Sequence, residues 1–273
     1  MFLASYARFY MQKLNLIAVL TETFRLIRQD VKPLLFATLA SGIAMAAATF
    51  LCYTVIDTVL GMPVTFSLSE PSDGFMVLQL MMVIMTAPIE AGLAYIGLQR
   101  ALDRPVSART MLEVVPLTAP LLLISLITGF VSQLGFALLF VLGVGLLVVL
   151  SQANLYFLVH RTNPLKSIVD SAKVMVKQLL PLCGAYLVGL IGLMLAFWPM
   201  AMVIASHAQK QPVDGSTEMI AATVTLAALC WVIPFFFQLK GVVYKHLFVT
   251  PETLSSDEAS PPEPGAGNGR FEA

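Results

Sequence analysis

Charge is what this sequence lacks. Only 12% of its 273 residues are Asp, Glu, Lys or Arg, against about a quarter in an ordinary soluble domain, too few to solvate a globular surface. Between Glu113 and His160 there is no Asp, Glu, Lys, Arg or His at all. As one helix, residues 114–159 would reach about 69 Å, about twice the thickness of a hydrocarbon core. The run must therefore cross a membrane, turn and cross back. The only polar turn inside it is Ser132-Gln133-Leu134-Gly135, and the reversal is expected there.

Other absences narrow the function. With 16 basic and 16 acidic residues the net charge is zero, so no global field draws nucleic acid or an acidic partner. Cys52, Cys183 and Cys230 are far apart, each in an apolar stretch; they make neither a disulfide framework nor a metal site, and read as small packing residues. No HExxH, CxxC or Walker A pattern occurs, and no nucleophile sits near a base, so no enzyme, metal or cofactor is expected. Gly143-Val144-Gly145 lies inside an apolar run and reads as helix packing or a kink. Met76, Met81, Met82 and Met85 read as adaptable packing, and Gly42 with Ala46 as a close helix contact. His160, His207 and His246 flank membrane boundaries. Arg8, Lys13, Glu22 and Arg25 interrupt the N-terminus before a long apolar core forms, which argues against a cleavable signal peptide.

What is present is long apolar runs. Hydropathy predicts an all-α polytopic membrane protein with six spans near 33–57, 75–98, 115–133, 136–158, 180–205 and 219–239. Of the 16 basic residues only Lys210 falls on one set of span ends. The positive-inside rule then places the other set, and both termini, in the cytoplasm. The outer loops are short and leave no room for a catalytic domain. The chain divides into an amphipathic interfacial segment (1–31), a six-helix membrane domain (32–248) and a tail (249–273). The tail holds prolines and glycines among Glu252, Asp257, Glu258, Glu263 and Glu272, a composition expected to be disordered in the cytoplasm.

The odd-numbered spans begin alike. Pro33-Leu34-Leu35 precedes Gly42, Pro120-Leu121-Leu122 precedes Gly129, and Pro181-Leu182 precedes Gly189. Ten residues before each proline stands a hydroxyl: Thr23, Thr110 and Ser171. Each hydroxyl opens or lies within a stretch that reads as a short interfacial helix. The clearest is 163–180, with Asn163 as N-cap and Pro164 at the first helical position. Leu165, Ile168, Val169, Ala172, Val176 and Leu179 keep helical spacing on one face, and Lys166, Asp170, Lys173 and Lys177 line another. A threefold repeat of interfacial helix, outward span and returning span is expected, giving three helical hairpins about a pseudo-threefold axis. Arg25, Arg28, Lys32, Arg104, Arg109, Lys166, Lys173 and Lys177 are candidate contacts to anionic lipid headgroups, worth roughly 1 kcal/mol each.

Ionisable groups inside spans are costly enough to mark function. The outstanding one is Glu90, in Pro88-Ile89-Glu90-Ala91-Gly92. It lies too far along the helix to reach Arg100, about 15 Å on, while Pro88 frees the carbonyl of Ile84. Pro88, Glu90 and Gly92 could bind a cation, a proton or a lipid headgroup; a neutral Glu90 hydrogen-bonded to a neighbouring helix is the structural alternative. Ser151 and Asn154, three apart in the fourth span, share a face and form a second candidate binding pair or a helix-to-helix glue.

Several of these segments together resemble a known family. An amphipathic segment leading to Lys32-Pro33-Leu34-Leu35, then Pro88-Ile89-Glu90-Ala91-Gly92, the Arg100–Arg109 loop, and Asn163-Pro164-Leu165-Lys166-Ser167-Ile168-Val169-Asp170-Ser171 are similar to the YciC-like uncharacterised bacterial inner-membrane proteins. They also resemble the membrane domain fused to some glycerophosphoryl diester phosphodiesterases. The resemblance implies a six-helix inner-membrane fold over residues 20–247 and carries no catalytic residues; phosphodiesterase activity is not expected. Two functions remain open. One is a non-enzymatic envelope scaffold or lipid-homeostasis factor, with membrane lipids and another envelope protein as partners. The other is a small transporter or channel for a lipid, ion or solute built on Pro88 and Glu90.

Overall fold

The computed structural model describes residues 14–29, 31–65, 72–106, 110, 113–209 and 214–249. The helices among them are α1 (Leu16–Gln29), α2 (Val31–Thr54, continued by a π-turn Val55–Val59), α3 (Asp73–Ala101), α4 (Thr118–Leu138), α5 (Phe140–Leu150), α6 (Ala153–His160), α7 (Pro164–Lys177), α8 (Leu179–Ala208) and α9 (Gly215–Phe248). Six helical stretches are long and apolar enough to cross a membrane: Thr38–Val59, Asp73–Ala101, Val115–Leu138, Phe140–His160, Leu179–His207 and Gly215–Phe248. The protein is an all-α polytopic membrane protein. Its outer face is apolar because its solvent is hydrocarbon: Phe36, Val141 and Leu180 are 75%, 80% and 86% exposed.

Local chemistry sets the helix starts. Asn15 Oδ1 accepts from the N–H groups of Ile17 and Ala18 at 3.1 and 3.3 Å to open α1. Ser72 Oγ accepts from Phe75 N at 3.3 Å to open α3. Asn163 Oδ1 accepts from Leu165 N at 3.0 Å, with Pro164 at the first position of α7, as the sequence predicts.

Three hairpins follow in order: α2–α3, α4 with α5 and α6, and α8–α9. Helix α9 lies at the centre, packed on α3, α8, α1 and α2. Its closest neighbour is α3, because Gly97 and Gly241 let the two backbones touch. A Cβ on Gly241 would run into the carbonyl of Gly97, and one on Gly97 into the carbonyl of Phe237.

The two short helices α1 and α7 carry the repeat most plainly. In α1 the buried stripe is Val19, Thr23 and Ile27; in α7 it is Ser167, Ser171 and Met175. Both stripes fall 14, 10 and 6 residues before the leading prolines, Pro33 and Pro181. Val114, six residues before Pro120, is buried as well, at 2% exposure. Helix α1 packs on α9 and α8 of the third hairpin, and α7 on α6, α5 and α4 of the second. Each of these two helices thus lies under the hairpin that precedes its own in cyclic order, which is what a pseudo-threefold arrangement requires. The second unit's interfacial stretch falls partly on 107–109 and 111–112, outside the described residues.

Three expectations need correction. The reversal in the uncharged run is not at Ser132–Gly135: α4 runs through to Leu138 and the chain turns on the single extended residue Leu139. Gly135 and Gly143 make this possible, since the two legs meet there backbone to backbone. The last span does not end at 239. Helix α9 continues to Phe248 and carries Lys240 inside the bundle, where hydropathy alone saw a charged boundary. Gly42 makes no close contact and Ala46 is exposed; the close helix approach is at Gly97 and Gly241 instead. In α7, Ser167, Ser171 and Met175 are inward, while Leu165, Val169 and Val176 are over half exposed beside Lys166, Lys173 and Lys177. The tail 250–273 and residues 1–13 lie outside the described residues.

Candidate functional site

The charged end of the bundle is assembled first. Glu22 of α1 accepts from Lys245 Nζ at 2.8 Å, and its other oxygen lies 2.7 Å from His246 Nε2. Burial alone would raise the Glu22 carboxyl, but hydrogen bonds and charges from Lys245 and His246 outweigh it and hold it below the usual carboxylate range. This clamp fixes α1 beneath α9. Beside it, Tyr156 stacks on His160 with ring centres 4.1 Å apart, and Tyr244 OH lies 3.2 Å from His160 Nδ1. His160 is exposed at the end of α6, as a boundary histidine, and its ring joins this aromatic layer. Of the candidate headgroup contacts, Arg25, Arg28, Lys166, Lys173 and Lys177 are exposed on α1 and α7, and Arg104 is half-buried. The side chain of Lys32 and all of Arg109 lie outside the described residues.

Above this end sits a polar layer. Glu90 of α3 pairs with Lys240 of α9: Lys240 Nζ donates to Glu90 Oε1. The Lys240 side chain is 16% exposed and that of Glu90 46%. Glu90 Oε2 has no hydrogen-bond partner among the described residues. The expected alternative is a neutral Glu90 hydrogen-bonded to a neighbouring helix; the partner is indeed on another helix, but it is the Lys240 ammonium. Lys240 was hidden by its assignment to a span end.

The layer continues into the second and third hairpins. The fourth span loosens into a turn at Ser151-Gln152, between α5 and α6, where both residues keep right-handed backbone angles. Ser151 Oγ shares a hydrogen bond of 2.8 Å with Tyr186 OH of α8. Gln152 Nε2 donates to Tyr186 OH at 3.3 Å and to the Lys240 carbonyl at 3.2 Å. Asn154 Nδ2 donates to Ser125 Oγ of α4 at 3.2 Å, and Gln238 Nε2 to the Gly97 carbonyl at 3.1 Å. Gln152 and Gln238 are fully buried. Gln152 Oε1, Gln238 Oε1 and Asn154 Oδ1 are buried without a partner among the described residues.

These residues occupy equivalent places in the repeat. Thr38, Ser125 and Tyr186 each stand five residues after a leading proline. On the returning helices Glu90 and Ser151 stand five before Tyr95 and Tyr156, and Gln152 and Lys240 four before Tyr156 and Tyr244. Counting 1.5 Å per residue from the helix ends, the layer lies about 10–16 Å inside the basic end. Of the sequence candidates, Glu90, Ser151 and Asn154 are brought into it. Pro88 lies in the unbroken helix α3 two residues before Glu90. Gly92 is buried in α3, two residues beyond Glu90 and so round the far side of the helix. Sequence reading missed Lys240, Gln238 and Tyr186. Spacing from prolines and tyrosines finds Tyr186 and Lys240, but no such signal marks Gln238.

Among the described residues no group of three or more His, Cys, Asp or Glu could hold a metal ion. At the opposite end, His207 and Glu218, 2.8 Å apart, close the α8–α9 hairpin. No family model, no curated protein and no solved structure matches this chain.

Proposed function

We propose that this chain is a non-enzymatic protein of the bacterial inner (cytoplasmic) membrane, with its basic end and both termini in the cytoplasm. It acts in lipid homeostasis by holding a polar ligand, a lipid headgroup or a small solute, in the layer around Glu90 and Lys240. The observation that carries this reading is the Lys240–Glu90 pair itself, with the second Glu90 oxygen unpartnered. Two charges placed within a spanning bundle cost several kcal/mol of desolvation each, and apolar residues would pack the helices more cheaply. A carboxylate left half open in that setting is suited to a ligand. The interfacial helices, with Arg25 and Arg28 on α1 and Lys166, Lys173 and Lys177 on α7, would seat the site on an anionic leaflet.

A transport reading uses the same layer. The turn at Ser151-Gln152 favours it, because interrupted helices at depth are how transporters build sites. The resemblance to the YciC-like proteins agrees with either reading.

Native mass spectrometry of the protein released gently from its own membrane tests the proposal. A stoichiometric small molecule or lipid, present in the wild type and lost in Glu90→Gln, is expected. A stoichiometric second protein with no Glu90-dependent ligand would overturn it in favour of a scaffold.

A further inference from the structure

Resting on the reading that the layer binds a ligand, the free valences there specify what kind. The carboxylate pairs with Lys240 through Oε1, leaving Oε2 without a hydrogen-bond partner among the described residues, and Gln152, bonded to the Lys240 carbonyl in the same layer, has the fully buried acceptor Oε1. The orientation of Gln152 follows from its neighbours: Nε2 faces the carbonyl of Lys240, a pure acceptor, so the oxygen is the end left over. Both vacant partners are therefore hydrogen-bond donors, and the carboxylate asks for a positively charged one. Lys240 supplies the opposite requirement. Its ammonium has three N–H donors, one of which goes to Glu90 Oε1, and the others can meet an anion.

We propose that the Glu90–Lys240 layer is a binding site for a zwitterion that carries a primary ammonium next to an anion. Its ammonium goes to Glu90 Oε2, and its phosphate or carboxylate goes to Lys240. A neutral zwitterion adds no net charge to a site that is itself neutral, which keeps the desolvation cost lower than for a lone cation or anion. A trimethylammonium group has no N–H to offer this acceptor, and an anionic glycerol headgroup has no cation. The matching class is the phosphoethanolamine group, borne by an aminophospholipid or free in solution as a small zwitterion. The 46% exposure of the Glu90 side chain opens the carboxylate at the surface of the bundle, a route open to a lipid.

The test uses the full chain in detergent, equilibrated with vesicles containing equal parts of phosphatidylethanolamine, phosphatidylcholine and phosphatidylglycerol, and read by native mass spectrometry. At least tenfold more phosphatidylethanolamine than phosphatidylcholine is expected on the wild type, falling to parity in Glu90→Gln. The double variant Glu90→Gln/Lys240→Met, which buries no unpaired charge, should show the same parity, so a folding failure of the single variant does not decide the matter. Adding the free methyl diester of phosphoethanolamine, a neutral zwitterion like the lipid headgroup, separates the sources: displacement of the bound lipid identifies a headgroup-sized zwitterion as sufficient, and no displacement identifies the whole aminophospholipid. Either result upholds the zwitterion site. Equal retention of the ethanolamine and choline lipids by the wild type, or an ethanolamine preference unchanged in both variants, would overturn it. A Glu90-dependent ligand without a primary amine would overturn this inference and leave the broader proposal of a ligand site standing.

Discussion

At the scale of single residues, two charged sites among the described residues join units distant in sequence. Glu90 and Lys240 tie the first hairpin to the third within the helical bundle. Glu22 with Lys245 and His246 ties α1 to the end of α9. Glu22 lies on α1, outside the six candidate spans. Because the Glu22 carboxyl is held below the usual carboxylate range, the folded state favours its ionised form. Its contribution is complete at pH values above the ordinary carboxylate pKa and is lost as pH falls through the lowered value. Thermal unfolding of wild type and Glu22→Gln should therefore differ at pH 7, with the wild type more stable, and converge in strong acid. A difference independent of pH would show that the carboxylate charge is not what holds α1.

At the scale of elements, close approach is concentrated at a few glycines. Gly241→Ala would place a Cβ against the backbone of Gly97 and Leu98, with no flexible side chain to give way. It is expected to abolish a monodisperse peak in size-exclusion chromatography, as is Gly97→Ala. Gly42→Ala and Gly129→Ala meet nothing within 4 Å and should be neutral, or stabilising by up to about 1 kcal/mol through helix propensity. Hydropathy found every span in the sequence, since each apolar run is long enough to declare its solvent. It mistook the reversal of the uncharged run, because polarity marks a turn only where the turn must meet water. Here Gly135 and Gly143 allow a hairpin whose tip, from Leu138 to Val141, is apolar and exposed. Small-residue spacing was a poor guide for the same kind of reason: it says that a helix can be approached, not that one is there.

At the scale of the whole molecule, the repeat is what positions the site. Prolines and hydroxyls at fixed spacing were legible in the sequence, and they point to three similar units. Lys240 was not, because a lysine at the edge of an apolar run reads as the end of a span. Only the packing of α9 against α3 turns it inward. The polar layer likewise depends on contacts between units, such as Ser151 with Tyr186 and Gln152 with the Lys240 carbonyl, which no single stretch of sequence displays. The cyclic placement of the interfacial helices can be checked directly. Leu16 of α1 lies against Gly184 of α8, its Cδ2 3.1 Å from where a Cβ on that glycine would stand. In a cysteine-free background, Leu16→Cys with Gly184→Cys is expected to form an intramolecular disulfide in membranes. Failure to cross-link, with folded protein present, would remove α1 from beneath the third hairpin.

The central claim is that Glu90 and Lys240 are partners within the membrane-spanning bundle, and a double-mutant cycle measures it. Reversible unfolding in bicelles would be compared for wild type, Glu90→Gln, Lys240→Met and the double variant. Each single change leaves an unpaired charge in the spanning region and should cost about 3 kcal/mol or more, whereas the double variant should recover most of that loss, a coupling of several kcal/mol. Additive effects, with the double variant as unstable as the sum of the singles, would contradict the pairing and with it the site built around it.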